Sequence, residues 1–271
     1  MYEEDVMEAD IVLFNGHQHS HDVVLVHSNR KHNQKFVHRL DGLQKLYNQP
    51  NDVRQDIAFN INKKCSDGNI FQSEWIMKKF GEFDFRSDAE SVVIHNAVDD
   101  SIFTKKRKKD VSGKIKIVTT CWSPNHNKGF DVYQHLDEKL DFGKFEYHYV
   151  GNVPDGMEFK NIIVHPPMTT KQIALFLPEC DIFLSAAKHE CLSNSIIEAI
   201  SCGVPCIVRD SGSNLEAIGE AGVLFDGKYD VLSQLEFISE NINFYGMQTV
   251  TKTISEVADE YIRFFGDILK G

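Results

Sequence analysis

The C-terminal half of the sequence places two glutamates around a short run of small polar residues. A predicted buried strand ends at Leu184, Glu190 follows in a polar loop, and Glu198 lies in the first turns of the next predicted helix. The start of that helix carries small polar residues: Ser193, Asn194 and Ser195. A helix start offers backbone N–H groups and the positive end of the helix dipole, which together favour a phosphate. Carboxylates on either side of it can accept hydrogen bonds from the hydroxyl groups of whatever the phosphate carries.

A purely structural role is the alternative for the same residues. Ser195 and Glu198 have the spacing of a capping box, in which the glutamate bonds back to a backbone N–H at the helix start. Glu190 fits an ordinary loop carboxylate equally well. The spacing alone therefore leaves a phosphate site and a capped helix both open.

Short apolar runs alternate with longer amphipathic segments throughout the second half of the chain. Predicted strands cover residues 114–118, 145–150, 162–164, 182–184, 205–208 and 223–225. Predicted helices cover 129–136, 170–177 and about 193–202, and two more begin near 231 and 250. This α/β alternation predicts a doubly wound parallel sheet covered on both faces. Such domains bind ligands at the carboxyl ends of their strands, which is where Glu190 lies.

The first hundred residues follow the α/β pattern less regularly. Apolar runs predict strands at 11–14, 23–26, 70–71 and 92–94, and helices are predicted at 52–65 and 73–80. Ser73 is the expected N-cap of the second helix and Gly81 its expected end. The adjacent cations of residues 105–109 predict an exposed linker, with a nuclear-localisation signal as the alternative. The predicted organisation is therefore an N-terminal domain at 1–104, a linker at 105–112, a C-terminal domain at 113–249 and a final helical segment at 250–271.

The overall composition excludes several classes of protein. The 271 residues include 29 Lys or Arg and 40 Asp or Glu, which gives a formal net charge of −11. This balance argues against nucleic acid as a partner, whereas a small anion needs only a few positioned donors. No stretch approaches the ~20 apolar residues of a membrane span, and the acidic N-terminus lacks the pattern of a signal peptide. Six scattered cysteines without zinc or disulfide spacing predict reduced thiols and a cytoplasmic location.

Three histidines at alternate positions are the one candidate metal site. His17, His19 and His21 would face the same side of an extended chain and could bind a metal ion there. A histidine-rich loop after a strand is the simpler interpretation. We therefore predict no metal site.

Several motifs occur in a fixed order along residues 35–230. Glu190 and Glu198 are followed by Ala199-Ile-Ser-Cys-Gly203-Val-Pro205 and by Gly212-Ser-Asn-Leu-Glu216. The upstream pieces are His38-Arg-Leu-Asp-Gly42, Phe71-Gln-Ser-Glu-Trp75, Ile94-His-Asn-Ala-Val-Asp99 with Phe103, Asn127-Lys128-Gly129 and Tyr149-Val-Gly151. As a set they resemble the family 4 retaining glycosyltransferases of the GT-B fold, the glycosyl transferases of group 1. The resemblance implies two Rossmann-like parallel-sheet domains facing a cleft, the N-terminal one abbreviated, with the last helix packed back on the N-terminal domain.

The resemblance also implies a role for each matched residue. In the family, the lysine of the Lys-Gly pair and backbone amides at the helix start hold the donor diphosphate. The corresponding residues here are Lys128 and Ser193–Ser195. The first glutamate of the family contacts hydroxyls of the donor sugar, and it corresponds to Glu190. The second contacts the ribose of the nucleotide, and it corresponds to Glu198. A histidine at the end of an N-domain strand approaches the donor sugar from across the cleft, and His38 is its match.

Two features depart from the family pattern. The family usually has an arginine a few residues before the Lys-Gly pair as a second diphosphate contact, whereas Thr120-Cys-Trp-Ser123 contains no cation. The resemblance also begins in the middle of the N-terminal domain, without the glycine-rich loop that usually opens it. The first departure need not abolish activity, whereas the second affects catalytic competence more than fold.

The implied activity is transfer of a sugar, with retained anomeric configuration, from a nucleotide-diphosphate donor such as a UDP- or GDP-sugar. The expected acceptor is a hydroxyl of a glycan or a lipid-linked sugar, in a setting such as polysaccharide biosynthesis, with at most peripheral membrane contact. Neither a cofactor nor a divalent metal is expected, because the lysine and the helix amides neutralise the leaving diphosphate. The alternatives are a non-catalytic nucleotide-sugar-binding protein with an incomplete acceptor domain and a nucleotide-sugar epimerase.

Overall fold

The structure is a computed structural model that describes residues 5–105 and 113–270. Its strands are β1 (Ile11–Asn15), β2 (Lys35–Leu40), β3 (Gly68–Phe71), β4 (Glu90–Val93), β5 (Ile115–Cys121), β6 (Phe145–Gly151), β7 (Ile163–His165), β8 (Ile182–Ser185), β9 (Cys206–Arg209) and β10 (Gly222–Phe225). Its α-helices are α1 (Ser20–Ser28), α2 (Gln44–Tyr47), α3 (Val53–Cys65), α4 (Glu74–Glu82), α5 (Phe130–Lys139), α6 (Thr170–Phe176), α7 (Asn194–Ser201), α8 (Asn214–Ile218), α9 (Val231–Glu240), α10 (Ile242–Met247) and α11 (Ile254–Lys270). Short 3-10 turns occupy His126–Lys128 and Leu177–Glu179. The fold is therefore α/β, as the sequence predicts.

The chain divides into two compact units. The N-terminal unit comprises Met1–Asn96 with Ser255–Gly271, and the C-terminal unit comprises Ala97–Ile254. Of the predicted linker at 105–112, only Lys105 lies among the described residues. Its ammonium group donates to the carbonyl of Thr249, within the C-terminal unit.

The N-terminal unit is built on a parallel sheet of four strands in the order β1-β2-β3-β4. Phe36 and Phe14 face helices α1 and α3, where they pack with Val23 and Ile61. Residues of the opposite face pack against α11: Val37 and Ile70 contact the buried side chains of Phe264 and Ile268. Apolar side chains therefore lie on both faces of this sheet, as expected for a parallel sheet that is covered on both sides.

The C-terminal unit has a six-stranded parallel sheet in the order β10-β9-β8-β5-β6-β7. Helices cover both faces: α5 and α9 contribute to one apolar cluster and α6 and α7 to the other. Because β6 and β7 extend to one side of β5 while β8 to β10 extend to the other, the winding reverses between β5 and β8. This is the strand order of a dinucleotide-binding Rossmann domain, in which ligands bind at the reversal point.

Residues 23–26 form part of α1, so the strand predicted there is wrong. An apolar run of four residues does not distinguish a buried strand from a turn of helix. Gly16 and His19 have positive φ values of 50° and 52° and turn the chain after β1, so that Val23 packs under β1 as a helical residue.

The start of α4 agrees with the sequence and its end does not. The hydroxyl of Ser73 accepts from the backbone N–H of Ile76, which confirms it as the N-cap. Gly81 lies inside the helix, which continues to Glu82, because nothing in its conformation requires a turn at that position.

Among residues 5–105 and 113–270, no helix combines the length and apolar character needed to cross a membrane.

Candidate active site

Lys128 lies just beyond the carboxyl end of β5, at the reversal point of the C-terminal sheet. It ends the 3-10 turn His126–Lys128, and Gly129 follows with a φ of 83° to begin α5. A side-chain carbon on Gly129 would lie 2.2 Å from the carbonyl oxygen of Ala186, so only glycine allows this approach. The N–H of Lys188 also bonds to the carbonyl of Asn127 at 2.7 Å. These contacts hold the loop of Lys128 against the chain that leaves β8.

Glu190 and Lys128 form a direct ion pair. Their Nζ and Oε1 atoms are 2.6 Å apart, and the two side chains are only 21% and 14% exposed, in the order Lys128 and Glu190. Partial burial strengthens such a pair relative to one on the surface, because water screens it less. The structure therefore brings together two of the residues that the sequence assigns to the donor site, although 62 positions separate them.

The segment after β9 fixes the backbone of Glu190. The backbone N–H and the hydroxyl of Ser213 each donate to the carbonyl of Glu190 at 3.0 Å. The N–H of His189 donates to the hydroxyl of Ser211 at 3.2 Å. Gly212 has a φ of 67°, and a side-chain carbon there would lie 2.6 Å from the nitrogen of Glu190. The Gly212–Glu216 motif is visible in the sequence, but only the structure shows that Gly212 and Ser213 position the loop of Glu190.

Helix α7 points its N-terminus toward the same edge of the sheet. Its N-cap residue, Ser193, makes no capping hydrogen bond with its side chain, and its hydroxyl instead bonds to that of Ser195 at 2.9 Å. The first N–H groups of a helix have no acceptor inside the helix. Asn194 is exposed at this end. The start of α7, at Ser193 to Ser195, therefore has the geometry of an anion site, and the predicted phosphate contact of these residues stays a prediction.

Glu198 lies in the second turn of α7 and is not a capping residue. The N-cap of α7 has no side-chain hydrogen bond, and no described residue donates a hydrogen bond to the Glu198 carboxyl. Burial raises the pKa of this carboxyl from 4.5 to about 7. A partly buried acid without a hydrogen-bond donor among the described residues is costly to the fold, and the missing cap contact argues against the capping box.

Replacing Glu198 by glutamine should stabilise the ligand-free protein at alkaline pH. The folded protein holds the Glu198 proton up to a pKa of about 7, whereas the unfolded chain releases it near 4.5. Wild-type stability therefore falls as the pH rises from 4.5 to 7, and the loss is complete above 7. We expect Glu198→Gln to raise the free energy of unfolding by about 1–3 kcal/mol at pH 8 and by little at pH 5, measured by urea unfolding.

Glu138→Gln is the matched control, because Glu138 is an exposed glutamate on α5. It should leave the pH dependence of unfolding unchanged. Equal effects of Glu198→Gln at pH 5 and pH 8 would contradict the raised pKa.

The region of the chain that holds these residues matches a known family. Residues 123–241 match the profile described as Glycosyl transferases group 1. No curated protein sequence matches the chain. Sucrose-phosphate synthase from Thermosynechococcus elongatus superposes with a TM-score of 0.75 at 11% identity, over 96% of this chain and 74% of that one. HepE from Anabaena, in complex with UDP-glucose, superposes with a TM-score of 0.75 at 12% identity, over 95% of this chain and 79% of HepE. A glycosyltransferase from Rickettsia africae superposes with a TM-score of 0.71 at 17% identity, over 97% of this chain and 78% of the Rickettsia chain.

The chain has the GT-B fold. The likeness extends over both units of the chain, although the family profile covers only part of the second.

Residues 120–123, where the resemblance led us to expect a second cation, contain none. Thr120 Oγ1 is buried and has no hydrogen-bond partner among the described residues, and the hydroxyl of Ser123 accepts from the N–H of Asn125 at 3.2 Å. Trp122, between them, is 62% exposed. Of the two hydroxyls in this segment, that of Thr120 is therefore the one without a contact among the described residues.

His38 lies in the interior of the N-terminal unit of this GT-B chain. It is fully buried, stacks on Phe14 with ring centroids 4.3 Å apart, and donates from Nε2 to the carbonyl of Gly16 at 2.8 Å. Nδ1 accepts from the amide of Asn62 at 3.1 Å, and burial lowers the pKa of the ring to about 4. This is the geometry of a neutral histidine that links β1, β2 and α3. Its predicted contact with a donor sugar stays a prediction.

His17, His19 and His21, the candidate metal ligands considered above, do not assemble into a group of ligands. In the described parts of the chain, no three His, Cys, Asp or Glu side chains are placed to hold one metal ion. His19 instead lies 3.5 Å from Asp22, and both side chains are exposed.

Proposed function

We propose that this protein is a retaining glycosyltransferase that uses a nucleotide-diphosphate sugar as donor and a hydroxyl group of a glycan or lipid-linked sugar as acceptor. The observation that carries the proposal is the Lys128–Glu190 ion pair at the reversal point of the C-terminal sheet. It joins a cation suited to phosphate with a carboxylate suited to sugar hydroxyls. Both lie in the region that matches group 1 glycosyl transferases.

The donor would be held by three kinds of contact. The ammonium of Lys128 and the N–H groups at the start of α7, Ser193 to Ser195, would bind the diphosphate. Glu190 would accept hydrogen bonds from the donor sugar, and Glu198, further along α7, would accept them from the ribose diol. Two solved neighbours favour a uridine nucleotide: HepE is described in complex with UDP-glucose, and the pneumococcal transferase GtfA in complex with UDP and GlcNAc.

The reaction would break the bond between the anomeric carbon and the diphosphate oxygen and form a bond from that carbon to the acceptor oxygen on the same face. The acceptor proton would pass to an oxygen of the departing diphosphate, so no side-chain nucleophile is needed. Lys128 and the α7 amides would stabilise the negative charge that develops on the leaving group. Glu190 would stabilise the positive charge at the anomeric carbon. Charge neutralisation by these groups makes the proposed transfer independent of a divalent metal.

A thermal-shift panel of UDP- and GDP-sugars, followed by a transfer assay, tests the proposal. We expect one nucleotide sugar to raise the melting temperature, and nucleoside diphosphate to be released when a glycan acceptor is added. Proton coupling constants of the product should show the anomeric configuration of the donor, and excess EDTA should leave the rate unchanged. Glu190→Gln is the loss-of-transfer control.

Two outcomes would revise the proposal. Binding of a nucleotide sugar without transfer to any acceptor and without hydrolysis would indicate a non-catalytic binding protein. If neither UDP, GDP nor any of their sugar derivatives bound to the protein, the proposed donor site would be rejected altogether.

A further inference from the structure

Arg209 carries a guanidinium group that the structure satisfies incompletely. Its side chain is 14% exposed, and its Nη1 atom is buried without a hydrogen-bond acceptor among the described residues. The ion pair between Nη1 and Asp131 Oδ1 spans 3.6 Å, longer than a hydrogen bond. Buried donors of this kind are rare because water no longer satisfies them. Arg209 therefore lacks a full set of acceptors in the ligand-free chain.

The position of Arg209 connects it to the proposed donor site. It is the last residue of β9, next to β8, and it packs on the face covered by α5. Asp131 lies in the first turn of α5, three residues after Lys128. The amide of Asn214 donates to the carbonyls of both Arg209 and Ala187 at 3.0 Å, which ties the end of β9 to the loop after β8. The guanidinium thus reaches the start of the helix that follows Lys128.

The chemistry of Arg209 suits an anion at this position. A guanidinium presents a planar fork of N–H groups that matches phosphate oxygens, and it stays charged at every relevant pH. Asp131 is 52% exposed, so water weakens its hold on the arginine. The strand end that precedes Lys128, Thr120 to Ser123, supplies no cation of its own.

We propose that Arg209 is a second cation of the donor site, which leaves Asp131 and contacts a phosphate oxygen when a nucleoside diphosphate binds beside Lys128. This inference rests on the proposed function, because it assigns a further residue to the same donor. It accounts for the missing arginine before Lys128 by a cation from a different strand. Asp131 holds the guanidinium near the site while no donor is bound.

Calorimetric binding of UDP and uridine, and of GDP and guanosine, tests the inference. Arg209→Gln should weaken binding of the preferred diphosphate by about tenfold and leave that of its nucleoside unchanged, since only the diphosphate carries the charged oxygens. Arg209→Lys keeps the positive charge but not the planar set of guanidinium N–H groups, so it should weaken diphosphate binding less than Arg209→Gln does. Asp131→Asn should leave diphosphate affinity unchanged or tighten it, because it releases the arginine.

Arg86→Gln is the matched control, because Arg86 forms a 2.7 Å ion pair with Asp84 in the other unit. An unchanged ratio of diphosphate to nucleoside affinity in both Arg209 variants would overturn the inference. So would an equal loss in Asp131→Asn and Arg209→Gln, which would mark the pair as a structural brace. Binding of a diphosphate that depends on Lys128 but not on Arg209 rejects the inference alone, whereas a wild-type chain that binds neither diphosphate rejects the proposed function with it.

Discussion

Replacing Lys128 by alanine should weaken binding of the preferred nucleoside diphosphate by about 10- to 100-fold. A charge-assisted hydrogen bond contributes about 1.5–3 kcal/mol, and each 1.4 kcal/mol is a factor of about ten in affinity. The affinity for the nucleoside alone should stay unchanged, because it lacks the phosphates that Lys128 contacts. Isothermal titration calorimetry of the wild type and the variant at one fixed ionic strength measures both quantities.

Lys79→Ala is the control for this comparison, since Lys79 pairs with Glu82 at the same 2.6 Å on α4 of the N-terminal unit. It removes an ion pair of the same type and length without touching the proposed site. An equal reduction in the affinity for diphosphate and nucleoside in Lys128→Ala would indicate a distorted pocket instead of a lost phosphate contact. Unchanged affinity for the diphosphate would reject Lys128 as a donor-binding residue.

Gly129→Ala should destabilise the protein by about 2–5 kcal/mol and abolish nucleotide binding. The left-handed backbone of Gly129 costs any residue with a side chain about 1–2 kcal/mol. The added carbon would also lie 2.2 Å from the carbonyl oxygen of Ala186, and the forced shift of the backbone adds about 1–3 kcal/mol. Urea unfolding measures the first effect and titration with UDP or GDP the second.

Gly156→Ala separates the two causes. Gly156 has a similar φ of 77°, but nothing lies within 4 Å of a carbon added there. The free energy of unfolding of Gly156→Ala should therefore fall only by the conformational cost of a left-handed backbone, about 1–2 kcal/mol. This variant should bind nucleotide normally. Equal destabilisation by the two substitutions would show that the approach of Gly129 to Ala186 is looser than the structure indicates.

Much of the C-terminal unit could be predicted from the sequence, because its apolar strands alternate with amphipathic helices at regular intervals. The strands predicted at 114–118, 182–184 and 205–208 correspond to β5, β8 and β9. The N-terminal unit was less predictable. Residues 23–26 are apolar and partly β-branched, yet they are helical in the structure, where Gly16 and His19 turn the chain before α1.

Motif spacing located the candidate site, but the contacts within it depend on strand order. Lys128 and Glu190 meet because β5 and β8 are neighbours in the sheet, which no local pattern reveals. The two interpretations of Glu198 have the same spacing, and only the missing cap contact at the start of α7 distinguishes them. The sequence did not indicate Arg209, the second cation that we propose, because no sequence pattern marks a lone arginine at a strand end.

The contact between Lys128 and Glu190 bears on how the protein discriminates among the many anions of a cell. Each of the two side chains already compensates the charge of the other. An anion that binds Lys128 must therefore displace the carboxylate of Glu190, and its net binding free energy is only the difference between the two attractions to the ammonium group. Inorganic phosphate or sulfate offers nothing to the displaced carboxylate. Under the proposed function, an intact sugar nucleotide would supply hydroxyls to it, so the complete donor would be favoured over its fragments and abundant small ions would be poor competitors.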